Sequence, residues 1–156
     1  MMTTRMLAGA LALPLLLGLA SPVALAADDY GSPEEAQAML ENAKAALEAD
    51  QAQALADFSA GAAGFKDRDL YPYCGDEAGI FTAHPNPDLI GKSLKDLQDK
   101  TGNPFGEEIY ANAAEDGIVE VAYMWPRPGE EEPVEKIALV TKVGDQICAV
   151  GYYVEE

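Results

Sequence analysis

Hydrophobic periodicity changes once along this chain, and the change limits what it can fold into. Between Ser32 and Ala60, Met39, Leu40, Ala43, Leu47, Ala54, Leu55 and Phe58 recur at intervals of three, four, seven and eight. That spacing draws one apolar stripe along a helix. Beyond Asp69 the apolar residues alternate with polar ones, the period of strands. A one-striped helix must lay its stripe on another element, and here the strands are the available partner. Ser32-Pro33-Glu34-Glu35 marks the helix start: Ser32 caps, Pro33 takes a position that needs no N–H, and Glu35 closes a capping box. Gly61 and Gly64 end it, which predicts a single helix of about seven turns.

The strands follow in two groups. Leu70 to Asp76 and Gly79 to Ala83 form a hairpin around Asp76-Glu77-Ala78-Gly79. Pro72 belongs at its entrance, since proline cannot donate to a ladder. His84-Pro85-Asn86-Pro87 halts the hairpin, and Leu89 to Gly102 holds at most a short helix after Ser93. Asn103-Pro104 reads as a cap and first position, opening a helix to about Asp116. Gly117 to Trp125, Val134 to Val143 and Gln146 to Val154 then make a meander. The expectation is one α+β domain: a five-stranded antiparallel sheet, a long N-terminal helix, and short helices between strands 2 and 3.

The first 26 residues stand outside that domain. Arg5 gives a positive start, Met6 to Leu19 is apolar, and Ala24-x-Ala26 precedes a cut, which together read as a signal peptide over 1–26. Fourteen apolar-region residues are too few for a bilayer span of about 20; the alternative is an uncleaved N-terminal anchor. No cysteine lies near the cut, which argues against a lipoprotein. The domain is therefore expected over 27–156, periplasmic or secreted, with no membrane insertion after cleavage.

Charge and composition narrow the function. With 10 basic and 27 acidic residues the formal charge is -17, and losing Arg5 makes it more negative still. Nucleic acids and anionic membranes need a basic footprint that this chain lacks. An apolar fraction of 49% is too high for a disordered acidic tail. Two cysteines and one histidine are too few for a zinc module or an iron–sulfur site, and no metal site or cofactor is expected. Asp67, Asp69, Asp76 and Glu77 do not match a calcium loop. Glu130-Glu131-Glu132 is a solvated turn tip. Phosphate-cradling glycine loops and nucleophile elbows are absent from the sequence.

From Leu70 to Tyr153 the chain resembles the single Cache domain family of extracytoplasmic PAS-like sensors. The resemblance rests on Asp76-Glu77-Ala78-Gly79, Ala83-His84-Pro85-Asn86-Pro87 and Leu89-Ile90-Gly91-Lys92. It continues in Tyr123-Met124-Trp125-Pro126-Arg127-Pro128, Glu135-Lys136 and Ile147-Cys148-Ala149-Val150-Gly151-Tyr152-Tyr153. It implies a PAS-like sheet and a pocket for a short organic acid, without enzymatic activity. Family members are commonly tethered to an output module. None follows here before Glu156, so a membrane-bound signalling partner is expected. The alternative from another class is a periplasmic adaptor docking to a membrane receptor or enzyme with no small ligand. A periplasmic hydrolase or isomerase is a third reading.

Six residues are candidates for the pocket. Tyr123 and Trp125 share one face of a strand, about 7 Å apart, and offer an apolar wall with O–H and N–H donors; plain core packing is the other reading. Lys136 alternates with Val134, Ala138 and Val140, so it either snorkels at a sheet edge or supplies the cation for an anionic ligand. His84 either donates an N–H to a ligand carboxylate or fixes its own loop. Tyr71 and Tyr73 are further hydrogen-bonding candidates, and Lys66 and Arg68 are weaker cations. Cys74 and Cys148 fall on the first and last strands, neighbours in a PAS-like sheet. In an oxidising compartment such a pair closes as a structural disulfide; two buried thiols filling the core are the alternative.

Overall fold

The structure, a computed structural model, describes residues 30–154. The signal peptide expected over 1–26 lies outside the described residues.

Helix α1 spans Pro33–Ala49 and α2 spans Gln51–Ala60. The capping box at α1 is present: the Glu35 N–H donates to Ser32 Oγ and the Ser32 N–H to Glu35 Oε2. The expected single helix is, however, two. Asp50 is extended, at φ -158° and ψ 95°; its N–H closes α1 on the Ala46 carbonyl and its side chain accepts from the Gln53 N–H. Aspartate is a poor interior residue and a good N-cap, so the chain breaks where the cap is available. The apolar stripe does not register the break, because both segments bury on the same cluster.

The sheet contains β1 (Pro72–Asp76), β2 (Phe81–Ala83), β3 (Val119–Pro126), β4 (Pro133–Val143) and β5 (Gln146–Tyr153). All pairings are antiparallel, in the order β2-β1-β5-β4-β3. Pro72 opens β1 as expected. The connection from β2 to β3 carries a 3-10 turn at Pro87–Leu89 and helix α3 at Phe105–Asn112. The helical turn thus comes before Ser93 rather than after it. Pro104 is the N-cap of α3 rather than its first residue, and no side chain caps that helix. Asn103 is diverted, its amide donating instead to the Ala122 carbonyl. This is the α+β, PAS-like arrangement anticipated from the periodicity and the resemblance.

Each face of the sheet has its own core. Leu40, Leu47 and Phe58 from the helices pack on Leu139, Val150, Cys74 and Cys148. On the other face Leu94, Phe105 and Ile109 cover Tyr73, Val121, Tyr123, Val140 and Ala149. Strand β5 lies in the middle and is buried along its whole length, which is why Gln146 to Tyr153 reads almost continuously apolar.

Cys74 and Cys148 face each other in the β1–β5 register and are joined as a disulfide, so the free-thiol alternative does not apply. The bridge closes a sequence separation of 74. On the chain-entropy account such a loop contributes about 4 kcal/mol. The double variant Cys74→Ala with Cys148→Ala should lose stability of that order in urea unfolding; a loss under about 1 kcal/mol would mean the cross-link scarcely restrains the unfolded chain.

Candidate ligand-binding site

The sheet face opposite α1 holds a cavity of about 350 Å³. Lys136 lies at its base. The ladder sets Lys136 opposite Tyr123 on β3 and opposite Tyr153 on β5, so three strands carry one row of a cation between two phenols. Gly151 makes room for that row. A Cβ there would stand 2.7 Å from Lys136 Cε and 3.2 Å from Tyr123 Oη. A glycine inside a strand commonly marks such a close approach.

Lys136 is only 4% exposed. Strand β4 has neighbours on both sides, so the sheet-edge reading of this lysine is wrong. Its ammonium makes no ion pair within 4.0 Å among the described residues; instead it sits 4.4 Å from the Tyr153 ring centroid and 5.6 Å from that of Tyr71. Burial lowers its pKa to about 8, with Asp69 acting the other way. Cation–π contact compensates part of the lost hydration, but the charge has no counter-ion in contact.

Of the two roles weighed for His84, the structure shows the fixing of its own loop. Its Nδ1 accepts the Asn86 N–H at 2.8 Å, which fixes the loop. In the neutral ring the proton therefore resides on Nε2, a free donor. Burial first, and then the charge of Lys136, lower its pKa to about 4. Tyr71, Tyr73 and Phe81 pack around the imidazole, with ring centroids at 5.3, 6.2 and 5.5 Å.

Tyr73 is buried, and its hydroxyl has no hydrogen-bond partner among the described residues. Burial also pushes the Tyr71, Tyr73 and Tyr123 phenols up, keeping them protonated as donors. Tyr123 stacks on Phe105 at 4.3 Å with planes 9° apart. Trp125 meets Tyr123 edge-on at 6.2 Å and is 38% exposed. Core packing alone does not describe this pair, because both rings line the cavity.

All six candidates, Tyr71, Tyr73, His84, Tyr123, Trp125 and Lys136, line the same cavity. The weaker candidates do not. Arg68 is engaged by Glu35 at 2.7 Å and Asp67 at 2.8 Å, and Lys66 is not in the lining. The sequence reading missed Phe81, Asn86, Leu89, Leu97 and Phe105. Phe81 alternates with Ala83 and could have been placed on a face; Leu97 and Phe105 come from a connection with no periodicity to read.

A sequence profile described as Single Cache domain 2 matches residues 34–155. The chain belongs to the single Cache domain 2 family. Domains of this family are extracytoplasmic, non-enzymatic sensors. The methyl-accepting chemotaxis protein McpP of Pseudomonas putida is 32% identical over 93 residues, which is 58% of this chain. The match spans only 17% of that relative's length. Among solved structures, a periplasmic sensor domain of a chemotaxis protein is 28% identical with a TM-score of 0.58, covering 78% of this chain and 90% of that one. A Cache chemosensory domain described for carboxylic acid recognition is 27% identical with a TM-score of 0.57, covering 78% and 88%. A methyl-accepting chemotaxis protein from Vibrio parahaemolyticus shares the fold at 21% identity and a TM-score of 0.63, covering 78% and 88%. No helix among the described residues is long and apolar enough to cross a membrane.

Two depressed pKa values set a pH signature. A base whose pKa is lower in the folded state binds fewer protons there than in the unfolded chain, so stability falls as pH drops through the interval between the two values. For Lys136 that interval runs from about 10.4 to about 8; for His84 it runs from 6.5 to about 4. Lys136→Met should therefore be more stable than the parent at pH 7, the advantage fading above pH 8. A constant difference in urea midpoint from pH 7 to 10 would show that Lys136 is not desolvated.

Proposed function

We propose that this protein is a periplasmic or secreted binding domain for a short organic acid that serves membrane-bound signalling. One observation carries the reading: a buried lysine with no counter-ion in contact among the described residues, at the base of an aromatic-lined cavity. A desolvated carboxylate needs a cation and two or three donors to offset its lost hydration. Lys136 supplies the cation, and His84 Nε2–H with the Tyr71 and Tyr73 hydroxyls supplies the donors. Binding also relieves the protein. The anion gives Lys136 the partner it lacks and reaches the unsatisfied Tyr73 hydroxyl. Phe81, Leu89, Leu97 and Phe105 leave room for a small apolar tail. The carboxylic acid recognition described for the Cache chemosensory domain of similar fold is consistent with this assignment.

Export completes the proposal. The signal peptide over 1–26 is removed after Ala26, so the mature domain begins at Ala27 and extends to residue 156. Intact-mass measurement of the secreted protein should give that start, less two hydrogens for the disulfide; a mass retaining the first 26 residues would restore the uncleaved anchor.

Titration calorimetry with acetate, propionate, pyruvate and succinate tests the ligand class. At least one acid of two to four carbons should bind the parent, while Lys136→Ala should remove binding and leave the circular dichroism spectrum unchanged. Trp125→Ala should weaken both binding and folding, since its ring packs on Phe105 as well. Undiminished affinity in Lys136→Ala would sink the proposed electrostatic anchor.

A further inference from the structure

Strand β3 ends the sheet, so alternate N–H and C=O groups along its free side have no strand to pair with. Two of these groups are nevertheless bonded, both by side chains of one short segment. The Met124 N–H donates to Asp99 Oδ2 at 2.9 Å, and Asn103 Nδ2 donates to the Ala122 carbonyl at 3.3 Å. Lys100 Nζ adds a third bond from the same segment, donating to the Glu131 carbonyl at 3.0 Å.

Asp99 is the centre of this arrangement. It is buried, and its other oxygen accepts from the Thr101 N–H, the Thr101 hydroxyl and the Asn103 N–H, at 2.8, 2.6 and 3.0 Å. One carboxylate thus folds its own turn and fastens that turn to the strand. The Thr101 hydroxyl and then the Met124 N–H hold its pKa at about 2, so the fastening stays ionised at any physiological pH.

What the fastening joins is the cavity. Met124 lies between Tyr123 and Trp125 and Asp99 between Leu97 and Phe105, all four of them lining residues, with Phe105 stacked on Tyr123 where the two segments meet. We propose that Asp99 is the positioning residue of the cavity, a latch that holds the 97–105 segment against the β3 edge and sets how often the cavity opens. The bond it makes is to backbone, so it acts on Tyr123 and Trp125 without touching either ring. An acceptor with four bonds cannot be replaced by an amide without turning an N–H toward a donor, so Asp99→Asn is the sharp variant.

The inference takes the cavity as the ligand site of the proposal above, but its test needs no ligand. Trp125 is the sole tryptophan, so acrylamide quenching of its fluorescence reports the mouth alone, and amide hydrogen exchange reports the Met124 N–H directly. In Asp99→Asn the Met124 amide should exchange about tenfold faster, and the quenching constant should rise about twofold. The amides of Ala149 and Val150 in β5 should keep their parental rates. Asn103→Ala, which removes one strand contact and leaves Asp99 in place, should give a smaller change in the same direction and serves if Asp99→Asn does not fold. Equal acceleration across β5 would make Asp99 a general stability residue, and unchanged Met124 exchange would remove the latch; either result overturns the inference. A failed carboxylate titration beside a positive exchange result would reject the ligand class and leave the latch standing.

Discussion

The rest of the molecule depends on where β5 is held. Among the described residues it is the one strand buried from end to end, with helices on one face and the cavity layer on the other. The Cys74–Cys148 bridge fixes its register against β1. A slip of one residue would exchange its two faces and carry Tyr153 and Gly151 away from Lys136. Register, not merely stability, is what the bridge secures for the site. The same bond holds the helix-side core together, since both sulfurs lie within it.

The cavity concentrates an electrostatic problem that the fold does not resolve by itself. A chain of formal charge -17 has abundant carboxylates to pair with a lysine, yet none is within ion-pair distance of Lys136 among the described residues. His84, the other basic group of the lining, is held neutral by burial and by that lysine. The result is one positive charge amid phenols, a neutral imidazole and apolar rings. Leaving such a charge without a contacting anion costs stability, and strained or unsatisfied groups of this kind are characteristic of sites arranged for a ligand rather than for the resting fold.

Much of this was legible in the sequence, and the remainder was hidden for identifiable reasons. The change of period at Asp69 announced helix followed by sheet, and alternation placed Tyr123, Trp125 and Lys136 on their faces correctly. Depth was another matter. Whether Lys136 stood at an edge depended on strand order, which local alternation does not carry. The break at Asp50 was invisible because both halves of the helix continue one stripe, and only the cap chemistry of a single aspartate distinguishes two helices from one. Asn103-Pro104 misled because Asn103 spends its amide on Ala122, a tertiary partner. Asp99 gave no signal at all, being one of many acidic residues until the fold brought it to Met124.

The disulfide has a topological consequence for a protein exposed to proteases. Of the residues lining the cavity, all but Tyr71 and Tyr73 lie between Cys74 and Cys148. The bridge thus places most of the cavity lining on one covalent ring. One fully exposed arc of that ring is the turn from Pro128 to Glu132 that joins β3 to β4. A single nick there opens the ring without releasing either piece, because each fragment keeps one of the two sulfurs. The cut chain remains one molecule, with its strands still tethered at the centre of the sheet.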